Sequence, residues 1–200
     1  MIFCSVLWQV MKAGLTILSL KRNSRVWNGA ICILHQRRRQ RQCHQPRRWM
    51  MGTVFWDAKG LILAEFLEPG QTSTATRNVL TVHKLHRALL DKRPGRNIII
   101  LHDNACPHAA RLTSGAIAKM GWEVLPHPSY SPDLAPSDYH LFGFVKDQLH
   151  GQRYETMEAI QKAVRQCLRM AGMEFYRRGI FKLPECWEKY LQRNGDYVEK

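Results

Sequence analysis

Two aspartates stand where their carboxylates could act together. Asp103 follows four aliphatic residues that predict a buried strand, and Asp138 lies in the first turn of a predicted helix, with 34 residues between them. A strand end is a rigid platform, and a helix N-terminus favours an anion electrostatically. Two carboxylates that converge there could hold Mg²⁺ or Mn²⁺, with positions left open for water and phosphate. Ions about 3.5–4 Å apart activate the attacking oxygen and stabilise the leaving oxygen in phosphodiester chemistry.

The same two residues also fit a purely structural interpretation. Asp103 could cap the helix that follows it, and Asp138 could stabilise the start of its own helix in the same way. Their types and spacing alone leave both interpretations open.

The elements around these aspartates follow from hydrophobic periodicity and turn residues. Strand-forming runs precede helices of period 3.6, and strands and helices then alternate, which predicts an α/β layer fold. The predicted strands are 52–56, 61–66, 97–101 and 122–125, and the predicted helices are 73–92, 107–120, 137–149, 156–170 and two short ones in 174–191 split at Pro184. Residues 57–60 are predicted to be the turn of a hairpin.

The distribution of charged residues changes near residue 50. The net charge is +14, yet residues 1–50 hold ten Lys or Arg and no acidic residue, and Asp57 is the first acid of the chain. The run RRRQRQCHQPRR (37–48) is typical of a solvated segment without regular structure. We therefore predict a basic, poorly ordered segment at 1–50 and a folded domain at 51–200.

Targeting signals are weak. The apolar start is interrupted by Lys12 and lacks both a basic leader and a small-residue cleavage site, so neither secretion nor a membrane span is expected. The six cysteines show no paired spacing, which favours a reducing compartment over a disulfide framework.

Two motifs carry a resemblance to a known family. LHDNACPHAA (101–110) and WEVLPHPSYSPDLAPSDYHLF (122–142) resemble the signature of mariner transposases, and residues 54–72 and 174–200 resemble the family as well. The resemblance implies an RNase H-like catalytic core, a mixed sheet flanked by helices. It also implies that Asp103 and Asp138 are the second and third members of an Asp-Asp-Asp triad that holds Mg²⁺ or Mn²⁺.

The first member of that triad is missing from the sequence. In the family it belongs to an Asp-Glu-x-Trp motif on the first strand, upstream of Asp57, and no such motif occurs here. Asp57 matches a separate Trp-Asp-x-Lys-Gly hairpin of the family, so we expect a turn role for it. The helix-turn-helix modules that bind transposon ends in the family are not recognisable either, and the core is expected to be incomplete at the N-terminus.

A shifted reading frame would explain these features together. Back-translation of residues 8–14 in the neighbouring frame permits Gly-Asp-Glu-x-Trp, and the same offset over 37–46 permits a sequence similar to the basic linker of the family. Residues 1–20 nevertheless remain apolar. We therefore expect some stretch of them, such as 3–10 or 15–20, to occupy the central first-strand position without supplying a carboxylate.

The sequence thus predicts a fragment of a mariner-type DNA transposase that is inactive because its triad is incomplete. DNA is the expected partner, a homodimer is an open possibility, the expected location is the nucleus, and metal binding should be weakened. The alternatives are a non-enzymatic nucleic-acid-binding or dimerisation remnant and a pseudogene product without a selected function.

Overall fold

The computed structural model describes residues 2–11, 48–68, 71, 73–95, 97–102, 110–128, 131–152 and 154–192, with backbone alone for 2–11 and 48–50. The strands are β1 (Ile2–Met11), β2 (Arg48–Asp57), β3 (Gly60–Phe66), β4 (Ile99–Leu101) and β5 (Glu123–Val124). The helices are α1 (Ala75–Lys92), α2 (Arg111–Lys119), α3 (Phe142–Leu149), α4 (Met157–Met170), α5 (Met173–Phe181) and α6 (Leu183–Gln192). A 3₁₀ turn at Pro132–Leu134 and a π-helical turn at Ser137–Leu141 precede α3.

The strands form one mixed sheet in the order β3-β2-β1-β4-β5. β1 is central: it pairs antiparallel with β2 and parallel with β4, with Ile2 opposite Ile100 and Phe3 opposite Leu101. This confirms that an apolar stretch of the first 20 residues occupies the central position beside the strand that leads to Asp103. Backbone pairing needs only an extended, apolar chain there, which Ile2–Met11 provides.

Helices cover both faces of the sheet. Phe55, Ile62 and Ile100 pack on one face against buried side chains of α1 and α2, such as Leu85 and Ile117. On the other face, Val54, Trp56 and Leu101 pack with the π-helical turn and with α3, α4, α5 and α6. Neighbouring residues of β2 and β4 therefore alternate between two cores, as the period of a strand requires. The predicted mixed sheet flanked by helices is confirmed.

The predicted hairpin is present. β2 and β3 pair antiparallel from Gly52–Phe66 to Asp57–Gly60, with a register shift at Phe55/Trp56. Gly60 has a φ of 123°, a conformation that side chains with a Cβ rarely adopt, so glycine is needed at this turn.

The helix boundaries agree with the sequence prediction except in three places. The predicted single helix 137–149 is a π-helical turn followed by α3. The predicted split of the tail at Pro184 was wrong: the break falls at Lys182, and Pro184 lies in the first turn of α6, where a missing N–H does not disturb the helix. α2 begins at Arg111, after Ala110 in an extended conformation, so it starts later than predicted; Pro107 itself lies outside the described residues.

The predicted boundary at residues 50/51 falls inside β2, and β1 shares the sheet with the second predicted unit. The basic run 37–48, apart from Arg48 in β2, lies outside the described residues, so the predicted disorder there stays a prediction. No helix in the described part of the chain has the length and apolarity that a membrane span requires.

Candidate metal centre

Asp138 lies in the π-helical turn Ser137–Leu141. The turn is wider than an α-helix, and it is closed by a hydrogen bond that the Phe142 N–H donates to the Ser137 carbonyl, five residues back. The Asp138 N–H donates to the Ala135 carbonyl at 2.9 Å, and Asp138 is half-buried. Single π turns often occur at functional sites because they alter the direction of the side chains that they carry.

The turn that holds Asp138 lies near the strand that leads to Asp103. It contacts β1, which pairs directly with β4. Leu101, at the end of β4, packs in the same core as Leu141 and Phe142. Asp103 itself, two residues past Leu101, lies outside the described residues. The structure therefore places the Asp138 turn and the end of β4 on the same face of the sheet.

Asp57 has the structural role predicted for it. Its two carboxylate oxygens accept hydrogen bonds from Arg93, from Nε at 2.7 Å and from Nη2 at 2.9 Å, and one of them also accepts from the Lys59 N–H at 2.8 Å. Burial by itself would raise the pKa of Asp57, but the Arg93 guanidinium and the Lys59 N–H more than offset this and lower it. The carboxylate is thus ionised and committed to the hairpin turn and to the end of α1.

The central strand brings no carboxylate to the candidate centre, since β1 has the sequence IFCSVLWQVM. In the described part of the chain no cluster of three or more His, Cys, Asp or Glu residues could hold a metal. The candidate donors are Asp138 and, from the sequence prediction, Asp103. One or two carboxylates together with water and phosphate oxygens suit Mg²⁺, so these residues fit a divalent cation with fewer protein ligands than a triad provides.

The residues flanking Asp138 are tied to the rest of the core. Ser137 accepts a hydrogen bond from the buried indole of Trp56 on β2 at 2.9 Å. The Tyr139 hydroxyl donates to the Gly179 carbonyl at 2.7 Å, and His140 Nε2 lies 2.9 Å from the Phe175 carbonyl. Sequence reasoning missed these contacts. Gly179 inside an amphipathic helix was the one available signal of a close approach.

Burial governs the ionisation of both side chains tied to α5. It raises the pKa of Tyr139 far above its ordinary value. It lowers the pKa of His140, an effect reinforced by the nearby charges of Lys182 and Arg178 and opposed by the hydrogen bond to Phe175. Both groups are therefore neutral near pH 7, and the Asp138 turn carries no additional charge from them.

Comparison with known sequences gives a consistent result. The sequence profile of the family described as "Transposase (partial DDE domain)" matches residues 18–99. The mariner Mos1 transposase of Drosophila mauritiana is 44% identical over 151 residues, 73% of this chain and 44% of that protein. The histone-lysine N-methyltransferase SETMAR of Homo sapiens is 37% identical over 158 residues, 77% of this chain and 23% of that protein. The chain thus spans less than half the length of either curated relative.

Solved structures similar to this chain include the catalytic domain of Mos1 mariner transposase. It has a TM-score of 0.73 and 44% identity, over 76% of this chain and 77% of that one. Two Mos1 paired-end complexes, one with the left transposon end and one with Mn, each have a TM-score of 0.79 and 37% identity. Each match covers 99% of this chain and 56% of the other.

Proposed function

We propose, because this chain belongs to the mariner family of transposases as part of a catalytic domain, that Asp103 and Asp138 form a reduced divalent-cation site that no longer cuts DNA. The fold is the RNase H-like core of that family. The transposase activity of an intact relative is metal-dependent cleavage and strand transfer at the ends of the element. The proposal is that this chain retains the scaffold and two of the three ligands.

The observation that carries the proposal concerns β1. This strand fills the central position beside β4, contacts the Asp138 turn and contains no Asp or Glu. The acid of the hairpin turn, Asp57, is held by Arg93 at the end of α1 and is not available as a substitute.

Loss of one carboxylate ligand is expected to reduce metal binding and catalysis more than it reduces the stability of the fold. When bound, Mg²⁺ or Mn²⁺ would polarise the phosphate and lower the pKa of an attacking water or hydroxyl. Asp138 would hold such an ion from its half-buried turn, with Asp103 as its partner. Two carboxylates would hold one ion weakly, whereas a second ion in the same site would need further oxygen ligands.

The test is cleavage of DNA that carries mariner ends, in Mg²⁺ and in Mn²⁺. We expect no strand cleavage above a protein-free control, and we expect Mn²⁺ binding to be weakened by Asp138→Ala. Robust cleavage that disappears in Asp103→Ala would show that another residue completes the site, and the inactivity proposed here would then be wrong.

A second candidate function is a nucleic-acid-binding or dimerisation remnant without a metal site. Two observations favour it: the acid-free basic start of the chain, and the likeness to SETMAR, a protein described by a different activity. In that case DNA binding would persist without divalent metal and would not change in Asp138→Ala.

Partner and location follow from the proposed substrate. The paired-end complexes of Mos1 contain a transposon end, which supports DNA as the partner of this chain. We propose a nuclear location because that is where such DNA resides. A homodimer is proposed from the paired-end form of those neighbours, and a sedimentation measurement that finds only monomer with and without DNA would exclude it.

A further inference from the structure

The Asp138 turn is held from two directions by contacts that flank the aspartate. Ser137, on one side of Asp138, is tied to the sheet, and Tyr139 and His140, on the other side, are tied to α5. Single π-helical turns are rare and frequently occur at functional sites, and this one is held by contacts from outside the helix. These three contacts therefore bear directly on where the Asp138 carboxylate points.

The contact with the sheet runs through Trp56. Its side chain is fully buried, its indole N–H donates to Ser137 Oγ at 2.9 Å, and its ring lies 5.5 Å from that of Tyr176. Ser137 is itself only 2% exposed. A buried donor and acceptor that bind each other hold their segments in one arrangement. Separating them would leave both groups buried without a hydrogen-bond partner, which costs free energy.

The contact with α5 depends on the absence of a side chain at Gly179. A Cβ built at this position would overlap His140 Cδ2, closer than side-chain atoms approach one another. The His140 ring stacks on Phe175 with centroids 4.2 Å apart, so it has little room to move away. Glycine weakens a helix relative to alanine. Here the missing side chain of Gly179 permits the turn to lie directly against α5.

We infer that Trp56 and Gly179 are positioning residues, which act through Ser137, Tyr139 and His140 to fix the Asp138 carboxylate as a ligand for a divalent cation. The inference rests on the proposed function, since it takes Asp138 to be a metal ligand. A cation ligand must be placed to within about 0.5 Å, and residues that orient ligands without touching the metal typically change its affinity by about 10–100-fold when altered.

The experiment measures Mn²⁺ binding by electron paramagnetic resonance, in which free aqueous Mn²⁺ gives a sharp signal that is lost on binding. Trp56→Phe removes the indole donor, and Gly179→Ala introduces the conflicting Cβ. We expect each to weaken Mn²⁺ binding about 10-fold. Affinities are compared at a temperature where circular dichroism shows every variant to be folded, so that a loss of stability alone does not change the result.

Each variant has a matched control elsewhere in the fold. Trp122→Phe makes the same substitution in the core on the opposite face of the sheet. Gly115→Ala makes the same substitution in α2, where an added Cβ meets nothing within 4 Å. Both controls should bind Mn²⁺ as the unaltered chain does.

Asp138→Ala distinguishes a failure of the proposed metal site from a failure of the positioning role. If it binds Mn²⁺ as tightly as the unaltered chain, the proposed site is wrong. If Asp138→Ala loses binding while folded Trp56→Phe and Gly179→Ala retain full affinity, the positioning role is wrong and the site stands. Should either variant fail to fold, Tyr139→Phe decides: it removes only the hydroxyl bound to Gly179, and unchanged affinity in it refutes the inference.

Discussion

Replacement of Asp57 by asparagine would distinguish a structural carboxylate from a metal ligand. The substitution Asp57→Asn keeps the shape of the side chain but removes its charge. In the native chain this carboxylate receives two hydrogen bonds from Arg93 and one from the Lys59 N–H. The Arg93 and Asp57 side chains are only 14% and 11% exposed, so the guanidinium of the variant would remain largely buried without its counter-charge.

The expected loss of stability is about 2 kcal/mol. Hydrogen bonds to charged groups contribute about 1.5–3 kcal/mol, and a buried charge that loses its partner costs more than an exposed one. The remaining exposure of the pair and the amide oxygen of asparagine, which still accepts a hydrogen bond, keep the value near the lower end. For a chain of this size the corresponding decrease in Tm is about 6 °C.

Urea denaturation followed by circular dichroism at pH 7 measures this loss. Glu185→Gln is the control, because Glu185 forms an i,i+4 ion pair with Lys189 in which both side chains are more than half exposed. Exposed pairs of this kind contribute little, so no measurable change is expected there. A loss below about 0.5 kcal/mol in Asp57→Asn would mean that desolvation offsets the ion pair, and the structural role assigned to it would be refuted.

The pH dependence of stability, the binding of DNA and the sequence of the gene each give a further prediction. The stability difference between the native chain and Asp57→Asn should stay constant above the ordinary aspartate pKa of 3.8 and shrink as the pH falls below it, because the pKa of Asp57 is lowered in the folded state. A difference that stays the same down to about pH 2 would contradict this. DNA binding through the basic run 37–48 should be independent of sequence and weaken on the order of 100-fold between about 50 and 200 mM salt, if about four phosphates are neutralised. Equal affinity at both concentrations would refute it. Sequencing of the gene should find Asp-Glu-x-Trp in the neighbouring frame over residues 7–15, and stop codons or unrelated residues there would exclude a frameshift.

The parts of the fold that were predictable depend on local pattern. Turn residues between two strand-forming runs were sufficient to predict the hairpin around Gly60. The apolar positions Ile160, Val164 and Leu168 recur at helical spacing, and all three are buried in α4. Such periodicity can be recognised without knowing the tertiary neighbours, because one face of each element must be buried in any compact arrangement.

The shape of the Asp138 turn was not predictable, because contacts distant in the sequence determine it. Ser137 is bound by Trp56, 81 residues earlier, and the ring of His140 occupies the space above Gly179. Local propensity favours an ordinary α-helix over 137–149, since nothing in that stretch requires a wider turn. Asp57 is similar: its turn was visible in the sequence, whereas its partner Arg93 lies 36 residues away.

On the proposed function, the central position of β1 explains how a transposase core retains its fold while its metal site is reduced. Strand pairing uses backbone groups that every residue except proline possesses, so the sheet accepts any extended apolar segment at this position. A metal site needs particular oxygens placed to within a fraction of an ångström. Replacement of one apolar strand by another, as a shifted reading frame would cause, therefore conserves the interactions that stabilise the sheet and removes the carboxylate. Selection for a folded protein alone would not retain a carboxylate at this position, because the folded state does not depend on it.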